Sequence, residues 1–342
     1  MSQKGNSEER PPKRQIDCLR ESAGSMDLKF PDDPSEITGM LGLGESLLIV
    51  KRKGIYEIKM ADQIDPNRTN PDIPNTVQRF APYGSDEAFV GKILLTAHGL
   101  LEKDHLASHV DSKAAMHRVA AITKNVAEMQ VLTDRFSEKQ GQAIEKFEGK
   151  VGSNRSLILP SMNSVNIRMS EFFQKADHSF QNLFDIVKLF YREISKGGWE
   201  ALKKHVDGEA KIDNFAKFLE QVLPLFACVR NGRNAIEHER HDMKLTVTDF
   251  SIDADNRLIP PMVELTHPKT PFDKVAITEF MEFVQTNTIE IVELMMVYLC
   301  ARNISGGTLD MSVIEIPQDR RTNPNVRYGY GAMIGGQLVP LL

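Results

Sequence analysis

Residues 233 to 238, Arg-Asn-Ala-Ile-Glu-His, bring together three side chains suited to chemistry on a phosphodiester. The Arg233 guanidinium is always charged and can bind a phosphate through two parallel hydrogen bonds. The His238 imidazole can transfer a proton near neutral pH, and the Asn234 amide can orient it or bind a phosphate oxygen. RNA cleavage needs these tasks, because the 2′-hydroxyl loses a proton, the leaving 5′-oxygen gains one and charge builds on the phosphate.

Arg233 falls on the apolar stripe of a predicted helix. Apolar residues recur at steps of three and four, and the next step lands on Arg233 before Ile236: Ile212, Phe215, Leu219, Val222, Phe226 and Val229. Burying a guanidinium without a partner is very costly, so Arg233 needs a carboxylate, a phosphate or a wet cleft that holds an anionic substrate. Arg233 and His238 are separated by about 140° around a helix. Their side chains therefore diverge unless the helix bends or ends between them, and Pro224 and Gly232 both weaken it.

Both residues also have purely structural interpretations. Arg233 can form an ion pair with Glu237, one turn on, or with an acid of a neighbouring helix. His238 can be a solvated histidine at a helix end, where the macrodipole favours a cation. The sequence leaves these alternatives open.

A metal site is the rival chemistry, because possible ligands crowd into six positions: Glu237, His238, Glu239, His241 and Asp242. Such a site needs further ligands elsewhere, and no clear partner stands out in the sequence. His105 and His109 have the spacing of a ligand pair but lack the HExxH glutamate, so we interpret them as solvated residues near a helix junction. We expect no metal and no cofactor.

Five amphipathic helices are predicted from apolar periodicity, and their stripes can be buried only against one another. The stripes run through residues 90–101, 115–147, 169–194, 212–236 and 277–298. The predicted fold class is therefore mainly α, a helical bundle with small β elements.

Three segments have the pattern of strands. Residues 46–60 form a predicted hairpin with a basic turn, and residues 244–265 form a second hairpin inserted into the bundle. The C-terminal stretches 313–316 and 328–336 are predicted as a strand pair that completes a small sheet with the N-terminal hairpin. The basic residues Arg320, Arg321 and Arg327 either extend an RNA track or lie on a solvated surface.

The predicted organisation has four parts. Residues 1–36 are polar and form a disordered arm. Residues 37–84 form a small β-containing region, residues 85–302 form the bundle, and residues 303–342 supply the C-terminal strands. The N-terminal region is a possible surface for a protein partner.

Composition limits the function classes. The net charge of −5 argues against a general nucleic-acid coat or a basic membrane binder, although a local basic cleft is allowed. Cys18, Cys228 and Cys300 lack close pairing, which favours a reducing compartment, and the last two are expected to act as small apolar fillers. Because the N-terminus is polar and the sequence predicts no apolar run long enough to span a bilayer, we expect a cytoplasmic protein without membrane contact.

The segment Cys228–His238, on a long helix, resembles the signature of the HEPN superfamily: arginine, four to six residues, then histidine, with asparagine favoured after the arginine. Arg233, Asn234 and His238 match those positions, and the resemblance covers roughly residues 110–302. It implies a HEPN-like bundle and a metal-independent endoribonuclease that leaves 2′,3′-cyclic phosphate ends, often a bacterial toxin or antiviral-defence effector.

The resemblance also implies a homodimer, because the active site of such enzymes usually forms where two bundles meet. Arg233, Asn234 and His238 would be catalytic, and Arg230 and Asn231 would bind the RNA substrate. Family members without activity exist, so the alternative is a non-catalytic scaffold or partner-binding subunit of a defence or regulatory complex.

Overall fold

The chain is a mixture of helices and strands. The computed structural model describes residues 13–22, 28–194, 196–209, 214–306, 310–335 and 337–341. Helices make up 49% and strands 20% of the chain, and the strands form four separate sheets. The prediction of a mainly α, HEPN-like bundle with small β elements was therefore wrong. The chain divides into two compact units, residues 1–84 and 85–342.

The first unit is built on a four-stranded antiparallel sheet in the order β1-β2-β3-β4. Its elements are α1 (Gln15–Ser22), β1 (Ile37–Leu43), β2 (Ser46–Lys51), β3 (Ile55–Lys59), α2 (Ala61–Ile64) and β4 (Thr76–Ala81). The pairing of β2 with β3 places Ile49 opposite Tyr56 and confirms the predicted hairpin. Helix α1 lies within the segment predicted as a disordered arm. Residues 1–12 and 23–27 of that arm lie outside the described residues.

Long helices form the centre of the second unit. A π-helical turn (Val90–Leu95) is followed by α3 (Thr96–Leu100), α4 (Ser112–Glu145), α5 (Val165–Phe190), α6 (Gly198–Asp207), α7 (Asn214–Glu237) and α8 (Ile277–Arg302). Helix α5 contacts α4, α7 and α8, so its buried face meets three neighbours. The five predicted helical segments are confirmed, whereas α6 was missed.

The apolar stripes account for the helix packing. Five residues of the α7 stripe are buried: Phe215, Leu219, Val222, Phe226 and Val229. Ile212 lies outside the described residues. The stripe of α4 is buried as far as Phe136, but Ile144 is exposed, so this helix extends beyond the core.

Eight strands complete the second unit. They are β5 (Lys244–Thr248), β6 (Ser251–Ile252), β7 (Leu258–Ile259), β8 (Met262–Thr266), β9 (Phe272–Ala276), β10 (Met311–Glu315), β11 (Tyr328–Ile334) and β12 (Gln337–Pro340). Strands β5 and β8 pair as the predicted inserted hairpin, and β9 extends them to three strands. Strands β10, β11 and β12 form a sheet of their own, so the predicted pairing with the N-terminal hairpin was wrong.

Helix α8 alone, among the described residues, is long and apolar enough to cross a membrane by length and composition. The sequence predicted this segment as an amphipathic helix but not as an apolar run of membrane-spanning length. Over half of its apolar window, 56%, is buried within the protein. Since α8 packs against α4 and α5, its apolar residues contribute to the core of the second unit. The cytoplasmic location stays a prediction.

The three cysteines are expected to differ in reactivity. Cys18 is exposed, Cys228 is partly buried and Cys300 is fully buried. Burial raises the pKa of the Cys228 thiol to about 11 and also raises that of Cys300, which disfavours their reactive thiolates. A thiol reagent should label one cysteine rapidly in the native protein and all three in denaturant. Loss of the rapid phase in Cys18→Ser is the control, and rapid labelling of two thiols in the native protein would contradict this assignment.

Candidate functional site

The candidate site lies at the C-terminal end of α7. Here Ala235 packs with Met243 and Leu265 of the following β elements, which fixes the helix end against a sheet. Gly232 faces α5, and a Cβ atom at this position would lie 2.4 Å from Cε1 of Phe173. The glycine thus permits close packing of a ring against the α7 backbone, which accounts for it without a ligand.

Two carboxylates hold the Arg233 guanidinium. Its Nη1 donates to Oδ2 of Asp177 at 2.8 Å, and its Nε and Nη2 donate to Oε1 of Glu237 at 3.2 and 3.0 Å. Asp177 comes from α5, and its side chain is only 4% exposed. These hydrogen bonds raise the pKa of Arg233 and keep it charged. The bond to Asp177 has the largest effect. Arg233 therefore forms both of the ion pairs that the sequence allowed, one with Glu237 and one with an acid of a neighbouring helix.

The ion pairs leave part of the Arg233 guanidinium accessible. Its side chain is 26% exposed. A guanidinium has five N–H donors, and the bonds to the described residues use one on each nitrogen. By this count, one N–H on each of Nη1 and Nη2 is not used by these bonds. A partly exposed guanidinium with unused N–H groups can still donate hydrogen bonds to a phosphate.

His238 lies just beyond the end of α7 and is exposed. Its backbone N–H still donates to the carbonyl oxygen of Asn234 at 2.8 Å, so the helical pattern continues through it. The expected divergence of about 140° from Arg233 therefore applies. Asn234 is half-buried one turn before His238. The arginine and the imidazole occupy the same helix end but face different directions.

The two predicted substrate-binding residues have different surroundings. Asn231 donates from Nδ2 to Oγ1 of Thr270 at 3.0 Å, which anchors α7 to the loop between β8 and β9. Arg230 is exposed and lines a groove between α5, α6 and α7. The structure thus gives Asn231 an anchoring role and leaves Arg230 accessible.

We call this groove the aromatic groove, and its volume is about 440 Å³. Its lining comprises Asp177, Phe180, Gln181, Phe184, Asp185, Gly198, Trp199, Glu200, Leu223, Phe226, Ala227 and Arg230. Ring centroids lie 4.4 Å apart for Phe180 and Phe226, 4.5 Å for Phe226 and Trp199, and 4.9 Å for Trp199 and Phe184. The sequence did not predict this groove, because α6, which carries Trp199, lacked a clear helical pattern.

The other candidate groups are engaged in structural contacts. Within the described part of the chain, no three His, Cys, Asp or Glu side chains gather closely enough to hold a metal ion. Nε2 of His109 lies 3.2 Å from the carbonyl oxygen of Phe190, and the His105 ring packs against Tyr330. Arg321 pairs with Glu315, and Arg327 pairs with Glu293, so both arginines have structural partners.

Comparison of the chain with protein-family models, curated proteins and solved structures finds no match. The geometry at the end of α7 is therefore the basis for proposing a function. That geometry brings Arg233, Asn234 and His238 to one helix end, adds the unpredicted Asp177, and places an aromatic groove beside Asp177.

Proposed function

We propose that this protein is a metal-independent endoribonuclease that acts as a homodimer. The supporting observation is the Arg233 guanidinium, which two carboxylates hold in place while its side chain stays 26% exposed. The exposed imidazole of His238 follows at the same helix end. The motif resembles that of the HEPN superfamily, whose members are often toxins or antiviral-defence effectors, and we include that role in the proposal.

Each residue has a distinct task in the proposed reaction. Arg233 binds the scissile phosphate and stabilises the charge that develops on its oxygens. His238 makes one of the two proton transfers, either from the 2′-hydroxyl or to the leaving 5′-oxygen, while Asn234 orients its ring. Solvent water makes the other transfer. The 2′-oxygen bonds to phosphorus as the bond to the 5′-oxygen breaks. The products carry a 2′,3′-cyclic phosphate and a 5′-hydroxyl.

The proposed homodimer follows from the direction of the side chains. Within one chain, Arg233 and His238 diverge by about 140° on α7, so they do not face one phosphate together. Pairing the helix ends of two chains lets Arg233 of one face His238 of the other. Each dimer then contains two composite sites.

RNA cleavage in EDTA tests this proposal. We expect wild-type protein to cut RNA, His238→Ala to lose the activity and His241→Ala, a matched exposed histidine, to keep it. Arg233→Lys should also be inactive, because lysine lacks the planar guanidinium that binds a phosphate through two parallel hydrogen bonds. This variant keeps a positive charge near Asp177. Removal of one proton-transfer group typically costs about 10²- to 10⁴-fold in rate. Abolition of wild-type cleavage by EDTA would favour a metal enzyme.

Mixing two inactive variants tests the composite site. A mixed dimer of Arg233→Lys and His238→Ala contains one site with both native residues, so partial activity should return after the chains are exchanged. Each variant alone should stay inactive. Failure to recover activity in verified mixed dimers would place both residues in one chain's site.

The second candidate function is a non-catalytic scaffold or partner-binding subunit, and the double ion pair of Arg233 favours it. Asp177 and Glu237 satisfy this arginine without a phosphate. Under this hypothesis, the wild type and all the variants above lack ribonuclease activity. The cleavage assay therefore separates the two functions.

A further inference from the structure

The aromatic groove has the lining of a base-binding site. Trp199 is half-buried, and its ring contacts Phe226 and Phe184, so it is held in place at the groove wall. Nucleic-acid bases bind single-strand-binding proteins by stacking on such rings. The volume of about 440 Å³ falls in the range of small-ligand pockets and accommodates one base.

The charged groups of the groove narrow the choice of ligand. Asp185 is neutralised by Lys188 and by Arg118, whose Nη2 lies 3.4 Å away. In the described part of the chain, neither Arg230 on α7 nor Glu200 on α6 has an ion-pair partner, and both are exposed. The groove therefore offers one guanidinium donor and one carboxylate acceptor beside its aromatic wall.

Guanine fits this combination. Its O6 and N7 atoms accept two hydrogen bonds from an arginine, and its N1–H and amino group donate together to a carboxylate. Adenine, cytosine and uracil do not combine a pair of neighbouring acceptors for arginine with a pair of neighbouring donors for a carboxylate. The aromatic ring adds stacking that every base can use, so selectivity comes from Arg230 and Glu200.

The groove also adjoins the proposed catalytic arginine. Asp177 lines the groove and accepts the hydrogen bond from Arg233 at 2.8 Å. A base in the groove is therefore close to Asp177, the carboxylate that also holds Arg233. This placement suits a nucleotide beside the scissile bond.

We propose that the aromatic groove binds a guanine base of single-stranded RNA next to the cleaved phosphodiester. The proposal rests on the endoribonuclease function above. It assigns stacking to Trp199 and base selection to Arg230 and Glu200, three residues on α6 and α7.

Binding can be measured without cleavage, because Trp199 is the only tryptophan of the chain. We expect guanosine 3′-monophosphate to quench its fluorescence at lower concentration than the adenosine, cytidine and uridine counterparts. Excitation at the red edge of tryptophan absorption avoids absorption by the nucleotides. Arg230→Ala and Glu200→Gln should each weaken guanosine binding about tenfold or more, as expected for loss of one paired base contact.

Arg257→Ala is the matched control, since this exposed arginine lies in the turn between β6 and β7 and should leave binding unchanged. Three results would overturn the guanine site. They are no quenching, equal quenching by all four nucleotides, and guanosine binding that survives both groove substitutions. His238-dependent cleavage without preference for guanosine would also overturn it while the ribonuclease function stands. Guanosine-selective quenching in a protein that cuts no RNA would support the base site and remove the ribonuclease function.

Discussion

Arg233→Ala is expected to lower the free energy of unfolding by about 3 kcal/mol, at the lower end of the cost of breaking a buried ion pair. The substitution leaves Asp177 with a side chain only 4% exposed and without its cation. The cost stays at the lower end because Gln181 still donates to Asp177 at 2.5 Å and Arg233 itself is 26% exposed. Urea unfolding of the variant and the wild type measures the difference.

A second substitution shows whether the loss comes from the stranded charge. Arg233→Ala combined with Asp177→Asn removes the charge together with its partner and should recover most of the lost stability. Glu237→Ala is the matched control, because this partner of Arg233 is 42% exposed and should cost less than about 1 kcal/mol. Equal unfolding of Arg233→Ala and wild type would show that the ion pair with Asp177 is not stabilising.

This result also determines how a loss of cleavage is interpreted. If Arg233→Ala is both unstable and inactive, instability alone explains its inactivity. Arg233→Lys and the double variant avoid this ambiguity, because both limit the charge imbalance around Asp177. An inactive but stable double variant would assign Arg233 a role beyond holding the helices together.

Apolar periodicity predicted the long helices because each buries one face over many turns. The same pattern placed Arg233 on the buried face of α7, where the structure shows it half-buried. A matching signal for its partner was present, since Asp177 lies between Phe173 and Phe180 on the α5 stripe at helical spacing. Pairing the two interrupted stripes would have predicted this ion pair from sequence.

The strands were harder to predict because several are held by backbone pairing and not by a buried face. In β4, the first four residues are exposed, and β9 has no buried residue, so neither shows the alternation of a half-buried strand. Strand β1 contains Gly39 and Gly42, which weaken its pattern. Together these edge strands raise the strand content of the chain, and because they were not predicted the fold class was wrong.

The aromatic groove depends on contacts that sequence spacing does not encode. Trp199 lies on α6, a ten-residue helix that begins directly after Gly197, and glycines favoured a loop there. Its ring meets Phe184 of α5 and Phe226 of α7, which are far apart in sequence. Only the packing of three helices brings these rings together.

Arg327→Ala is expected to lower the free energy of unfolding by about 3 to 5 kcal/mol, because it removes the cation that contacts a buried carboxylate. Glu293 on α8 is completely buried. Nε of Arg327 donates to its Oε1 at 3.1 Å, and Nη2 donates to Oε2 of Glu290 at 2.6 Å. The nearby Lys92, on the π-helical turn, is paired with Glu290.

The loss of stability in Arg327→Ala should become larger as the pH rises. Burial already raises the pKa of Glu293, and the hydrogen bonds from Arg327 oppose this shift. Without Arg327, the folded protein binds a proton at Glu293 more readily than the unfolded chain does. The free energy of unfolding of the variant therefore falls as the pH rises above about 4.3, the pKa of an unfolded glutamate. This destabilisation becomes smaller as the pH falls toward that value.

Urea unfolding at several pH values, with Glu293→Gln and Arg327→Ala combined, identifies the charge responsible. The double variant should recover much of the stability and lose the pH-dependent part of the deficit, because glutamine does not ionise. Arg320→Ala, at a neighbouring exposed arginine, serves as the control and should change stability by less than about 0.5 kcal/mol. A deficit in Arg327→Ala that is the same at every pH would show that lost packing of its side chain, and not the charge on Glu293, causes the destabilisation.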